Sequence, residues 1–371
     1  MSSGLALSAA RWKRAFISGG DASRLEAFRA KLARKEKIVY GAIGGSITEG
    51  ASASSPWRRY ASRFAIWLDS LAPCELVNAG IGASNSLFGA FRLEKDLLSR
   101  NPDMITIEFA VNDPDSNPDM AASYEALVRQ CALHPKKPLI VLIFNMRKDG
   151  TNAQHVHVPV GRHYNLAMLS TRDGIYPEIQ KGQLKWSDYS PDEVHPNDAG
   201  HELISKMLEK FVVKAEPEKS AAPSAENPPF MNPAAIKYIG GRILDLSKLE
   251  LLSCSGWTQG PHRGGYLGLQ SEAPGSVFEV AFEGSNITMG SQQYAGGFGR
   301  VSVSIDGGGP RIVEGFYERP PIIAWAGGHT VLNKLGEGLK PGRHVMRVEL
   351  LSERHKDSSG HKFDFGYLLV S

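Results

Sequence analysis

Three cysteines in 371 residues (Cys74, Cys131 and Cys254) are odd in number and far apart. That excludes a disulfide framework and a structural zinc site built on paired Cys or His, and the thiols read as free and buried. No apolar run approaches the roughly 20 residues that span a bilayer, so no membrane partner is expected. Charge of one sign is also missing: 42 Lys and Arg against 39 Asp and Glu leave a net +3. Without a basic stripe interleaved with aromatics, nothing points to nucleic acid. Arg11, Lys13 and Arg14 read as a solvated helix face. Leu5-Ala6-Leu7 precedes those charges, the reverse of a secretory signal. Localisation therefore stays open between an intracellular protein and one whose secretion signal is not in this sequence. No internal repeat is visible.

What is present is ordinary globular material, 42% hydrophobic and 22% charged, in a chain long enough for two domains. Residues 1–36 read as a helical lead-in, with Ser23 capping a helix through Leu32. Residues 37–213 then alternate apolar strands with amphipathic helices. The strands fall at Lys37–Ile43, Cys74–Asn78, Met104–Val111 and Pro138–Asn145. The helices fall at Trp57–Leu71, Leu87–Leu98, Met120–Leu133, His163–Thr171 and Asn197–Val213. Continuous apolar strands between such helices predict a parallel sheet covered on both faces. Residues 214–235 are Pro-, Ala- and Ser-rich and read as a linker. From 236 to 371 the periodicity becomes two, as in Val277–Phe282, Val301–Ile305 and His344–Leu350, with turns at Asp306-Gly307 and Pro341-Gly342. That predicts a β-sandwich.

The chemistry concentrates where parallel strands end, which is where open α/β sheets bind ligands. Ser46 follows the first strand. A serine hydroxyl needs a base to take its proton and a third group to orient that base. His195 and Asp192, three residues apart before the last helix, supply both. Acyl transfer also needs donors for the oxyanion. The Ser46 N–H, an N–H of the Gly82–Ala83 turn after the second strand, and the Asn112 amide after the third are the candidates, with the choice between Gly82 and Ala83 open. Asp113 reads as a brace for its loop.

These four blocks, in this order across residues 37–213, resemble the SGNH (GDSL-type) hydrolases. The resemblance implies an α/β fold of the flavodoxin-like α/β/α sandwich type and ester hydrolysis with no metal or other cofactor. Two positions depart from the family pattern. Gly45 stands where Asp is frequent, and Ala110 stands where glycine is usual. The β-sandwich is similar to the jelly-roll domains that accompany acetylxylan and other carbohydrate esterases, although here it follows the hydrolase region.

The remaining candidates are weaker. Arg92 is weighed as a pocket residue against a surface or ion-paired one. His155 and His157 are taken as one face of a strand, with no third metal ligand nearby, and with a substrate-binding rim or a plain surface role. His201 reads as structural. Trp257, Tyr266, Tyr294, Phe298, Phe316, Tyr317 and Trp325 are either a sugar-stacking surface or core. The leading expectation is a serine esterase acting on short acyl groups, acetyl above all, of a small-molecule or oligosaccharide ester such as acetylated xylan. An O-acetyltransferase with the same triad and a non-catalytic carbohydrate-binding protein are the alternatives. A homo-oligomer is left open.

Overall fold

The computed structural model describes residues 5–114, 118–215, 227–245, 249–262, 265–317 and 329–371. They form two compact units, 1–239 and 240–371.

The first unit is built on six strands: β1 (Phe16–Gly19), β2 (Ile38–Gly44), β3 (Cys74–Gly80), β4 (Met104–Glu108), β5 (Leu139–Phe144) and β6 (Ala167–Ser170). Their order is β1-β6-β5-β4-β2-β3, with β2 to β6 parallel and β1 antiparallel at the edge. Every residue of β4 and β5 is buried, the signature of a sheet covered on both faces. The helices are α1 (Ala9–Ala15), α2 (Ala22–Ala33), α3 (Ser46–Glu49), α4 (Tyr60–Asp69), α5 (Ser86–Asp96), α6 (Pro118–Ala132), α7 (Gln154–His163), α8 (Thr171–Gln180), α9 (Trp186–Tyr189) and α10 (Asp198–Lys214). Asn197 caps α10, accepting the Ala199 and Gly200 N–H groups at 3.0 Å.

Several expectations are corrected. The lead-in is not only helical: β1 pairs with β6, and Asp21 rather than Ser23 caps α2. The expected helix over 163–171 is strand β6, while 155–157 is helix. A four-residue run buried at every position carries no period, and Pro159 inside α7 obscured its helical pattern. Arg11 is buried against Glu178 of α8 at 2.5 Å rather than solvated. Of the expected linker, 216–226 lies outside the described residues. Residues after it dock on α6: Glu125 accepts the Met231 and Asn232 N–H groups at 2.7 Å. No helix among the described residues is long and apolar enough to cross a membrane.

The second unit is all β. One antiparallel sheet runs His329–Gly336, Ile287–Gln293, Phe363–Val370, Leu267–Ser271, Thr258–Pro261, with Arg242–Leu244 also on Phe363–Val370. The other runs Arg311–Glu314, Arg300–Ile305, Arg343–Leu350, Val277–Glu283, Glu250–Ser255. Both sheets feed one core, where Phe278 meets Phe365 with ring centroids 5.1 Å apart. Trp257, Tyr266, Phe298 and Phe316 are buried, so they form core and not an exposed stacking surface; Trp325 lies outside the described residues. Cys254 is exposed and Cys74 half-buried, so only Cys131 is the buried thiol expected.

Candidate active site

β2 runs out at Gly44, and Gly45 donates its N–H to the Glu108 carbonyl at the end of β4 (3.2 Å). Ser46 then opens the single turn α3, which Gly50 closes in the left-handed region (φ 104°). The turn lies directly over the end of β3. A Cβ on Gly80 would sit 2.1 Å from the Glu49 nitrogen, so only glycine lets the two backbones pass. Asn78 ties them together, donating to the Thr48 carbonyl (3.0 Å) and accepting from Gly80 (2.9 Å).

The segment before α10 brings the partners. Ser46 Oγ lies 2.9 Å from His195 Nε2, and His195 Nδ1 lies 2.7 Å from Asp192 Oδ2. Beside a carboxylate, Nδ1 carries the proton, which leaves Nε2 as the acceptor of the serine O–H. Asp192 Oδ1 accepts the N–H groups of Val194 (2.8 Å) and His195 (2.7 Å). Partial burial works to raise the Asp192 carboxyl, but those two N–H groups and the His195 ring outweigh it and hold it below the usual carboxylate range. His195 is 3% exposed and Ser46 4%. The imidazole is therefore shielded while the carboxylate paired with it is partly wet.

Three donor groups adjoin Ser46. Its own N–H, in the first turn of α3, has no protein acceptor among the described residues. Gly82 is buried, and a Cβ there would lie 3.8 Å from Ser46 Cβ. Ala83 is exposed and holds the left-handed φ of 54° that favours glycine. Neither of their N–H groups is bonded within the described residues. The Asn112 amide lies against Gly45, with Oδ1 2.4 Å from where a Cβ would stand. Glycine at position 45 thus makes room for Asn112.

Arg92 and His157 are buried and so cannot form an exposed substrate rim. Arg92 is fully buried. Its guanidinium donates to the carbonyls of Ala79 (2.6 Å) and Gly44 (3.0 Å), and pairs with Asp96 at 3.1 Å. It fastens the ends of β3 and β2, from which the Gly82 turn and Ser46 emerge. Arg92→Met is expected to remove the charge-assisted bonds to the Ala79 and Gly44 carbonyls, the latter keeping the Ile81 N–H. At about 1.5–3 kcal/mol per charge-assisted bond, the cost is about 3 kcal/mol or more. Thermal denaturation checks it, with a midpoint drop of about 6–12 °C expected for a unit of this size.

His157 is buried on α7, its ring stacked on Tyr124 at 3.5 Å and its Nε2 3.0 Å from Asp113 Oδ2. Asp113 Oδ1 accepts the Ser86 N–H that begins α5 (2.8 Å). This pair braces the loop that carries Asn112, a link the sequence did not reveal. His155 is exposed, two residues along a helix and so on a different face from His157. His201 is structural: Nδ1 accepts the Tyr60 N–H (3.2 Å), Nε2 donates to Ala51 (3.1 Å), and burial pushes its pKa down to about 4.

Residues 42–203 match the GDSL-like Lipase/Acylhydrolase family. No curated protein sequence matches the chain. Among solved structures, the chain is similar to a two-domain esterase active on acetylated mannans. The identity is 27% over 97% of this chain and 98% of that one, with a TM-score of 0.83. A structure of a two-domain esterase active on acetylated mannans, co-crystallised with mannopentaose, matches at 26% identity over 97% of both chains, with a TM-score of 0.80. With the β2–α3 serine turn and the strand-end loops around it, residues 42–203 are similar to the GDSL-like lipase/acylhydrolase family, and the chain is a carboxylic ester hydrolase.

Proposed function

We propose that this protein is a serine esterase that removes acetyl groups from a mannan-type polysaccharide or oligosaccharide. The observation that carries the chemistry is the continuous hydrogen-bonded relay from Ser46 Oγ through both nitrogens of His195 to Asp192. Ser46 Oγ attacks the ester carbonyl while His195 Nε2 takes its proton. His195 returns that proton to the leaving sugar oxygen, and acetyl-Ser46 is formed. Water, deprotonated by His195, then releases acetate and restores Ser46. Asp192 keeps the ring in the working tautomer and stabilises the imidazolium. The Ser46 N–H, the Gly82–Ala83 turn and the Asn112 amide receive the negative charge that develops on the carbonyl oxygen.

The mannan assignment is supported by likeness along both units to an esterase active on acetylated mannans, rather than along the hydrolase unit alone. The β-sandwich is proposed to act in recognition of the glycan. Acetate release from acetylated galactoglucomannan, compared with acetylated xylan and with p-nitrophenyl acetate and octanoate, tests the reading. Mannan above xylan and acetate above octanoate are expected. Faster octanoate hydrolysis would sink the acetylesterase assignment, and faster xylan deacetylation would sink the mannan one.

A further inference from the structure

The apolar strand β4 contains one charged side chain, Glu108, and it is wholly buried. Its main-chain carbonyl accepts the Gly45 N–H. Its carboxyl reaches under the same turn, where Thr48 Oγ donates to Oε2 at 3.4 Å. Glu108 therefore touches the residue before Ser46 and the residue two after it. Thr48 Oγ is also 2.9 Å from the Tyr60 hydroxyl. Glu108 Oε1 has no hydrogen-bond partner. The Asn145 amide nitrogen is likewise without a partner, and Asn145 is the side chain that most opposes the effect of burial on this carboxyl. Asn145 Oδ1 is taken by Thr171 (2.7 Å) and the Tyr189 hydroxyl (3.5 Å). Among the described residues no cation pairs with Glu108.

A buried carboxyl without a cation costs stability, and a leucine here would fill the same space. We propose that Glu108 is a positioning residue for the Ser46 nucleophile, gripping the turn on both sides of it, so that the ionisation of its carboxyl is coupled to catalysis. The coupling has a sign. Ionised, the carboxylate is a charged acceptor that holds the Thr48 hydroxyl and attracts the Asn145 amide. Protonated, it is a weaker acceptor and the grip on Thr48 loosens. Burial raises the carboxyl to about 7; Asn145 and Thr48 oppose that rise and Asp113 adds to it. The other titratable groups facing it are Tyr60, Tyr124 and Tyr189. Their hydroxyls are all pushed up by burial and stay neutral. Asp113 is held by His157. Ionisation of Glu108 thus falls near neutrality, and groups perturbed in this way cluster at functional sites.

The inference rests on Ser46 being the nucleophile, and the test separates the two. Full-length wild type, Ser46→Ala, Glu108→Gln and Thr48→Val are compared on p-nitrophenyl acetate from pH 5 to 9. Wild-type log kcat is expected to rise more steeply than that of Glu108→Gln around pH 7, because only the wild-type carboxyl ionises there. Glu108→Gln, which keeps the shape but cannot ionise, should show the shallower slope, lose about 10-fold in kcat at pH 9, converge on wild type at pH 5, and keep its KM. Thr48→Val should show the same kcat loss, and the double variant little more than either single one. Because the folded-state pKa is raised, ionisation destabilises the fold as pH rises from about 4.5 to 7. The Tm of Glu108→Gln relative to wild type should therefore increase across that window. Unchanged kcat and slope in Glu108→Gln, with Ser46→Ala inactive, would overturn the Glu108 proposal alone. An active Ser46→Ala would overturn the nucleophile itself. If Glu108→Gln does not fold, wild-type kcat and slope in Thr48→Val overturn the proposal.

Discussion

Ser46→Ala is expected to lower kcat/KM on p-nitrophenyl acetate by about 10⁵–10⁶-fold, the scale on which removal of an activated nucleophile acts. The change takes away one atom and one hydrogen bond, to His195 Nε2. It leaves α3, the Gly80 crossing and the Asn78 ties in place, because those run through main chain. Stability should move by no more than about 1 kcal/mol. A residual rate over solution is expected, since the oxyanion donors and His195 still act on water. Steady-state kinetics beside a denaturation curve decide it: a Ser46→Ala enzyme within 10-fold of wild type would mean another group attacks the ester.

Asp192→Asn should cost about 10⁴-fold in kcat, the effect of losing the orienting carboxylate. The carboxylate is an acceptor at both oxygens, toward two N–H groups at Oδ1 and the ring at Oδ2. An amide has one acceptor. If its oxygen keeps Val194 and His195, its NH₂ faces Nδ1 and forces the ring proton onto Nε2, where it meets Ser46 and the base is lost. The reverse orientation sets NH₂ against two N–H donors. Asp192 is held below its usual range when folded, so its contribution to stability is present above the unfolded pKa and fades as pH falls through the folded one. The variant should thus have a flatter loss of Tm in acid than wild type. Retention of kcat within tenfold of wild type by Asp192→Asn would remove this carboxylate from the relay.

The shape of these predictions reflects how unevenly the chain discloses itself. Strands β2, β4 and β5 were legible because they are largely apolar runs, β3 because it lies between two amphipathic helices and ends in glycine, and the sandwich strands because side chains alternate between core and solvent. Strand β6 was not. Its four residues are buried on both faces, so no alternation survives to distinguish it from a helix, and Pro159 hid the helix before it. The edge strand β1 is half-covered and borrows its partner from β6. Arg92 was unreadable as a buried residue because a guanidinium enters a core only when carbonyls converge on it, and Gly44 and Ala79 converge only once β2 and β3 are side by side. Glu108 did leave a signal, a lone acid in a buried strand, but not what it would hold.

What the sequence alone determined is the kind of chemistry available: a serine at a strand end, an Asp-x-x-His before the last helix, and amide donors in the loops between, in an order that suits one sheet edge. Local periodicity and residue type suffice for that, since strand ends of a parallel sheet share one rim. Tertiary structure alone decided the distances and the support. The 2.9 Å and 2.7 Å contacts of His195, the room Gly45 leaves for Asn112, and the Glu108 carboxyl beneath Thr48 join residues far apart in the chain. They arise only when the core is packed and each buried polar atom has been given, or denied, a partner.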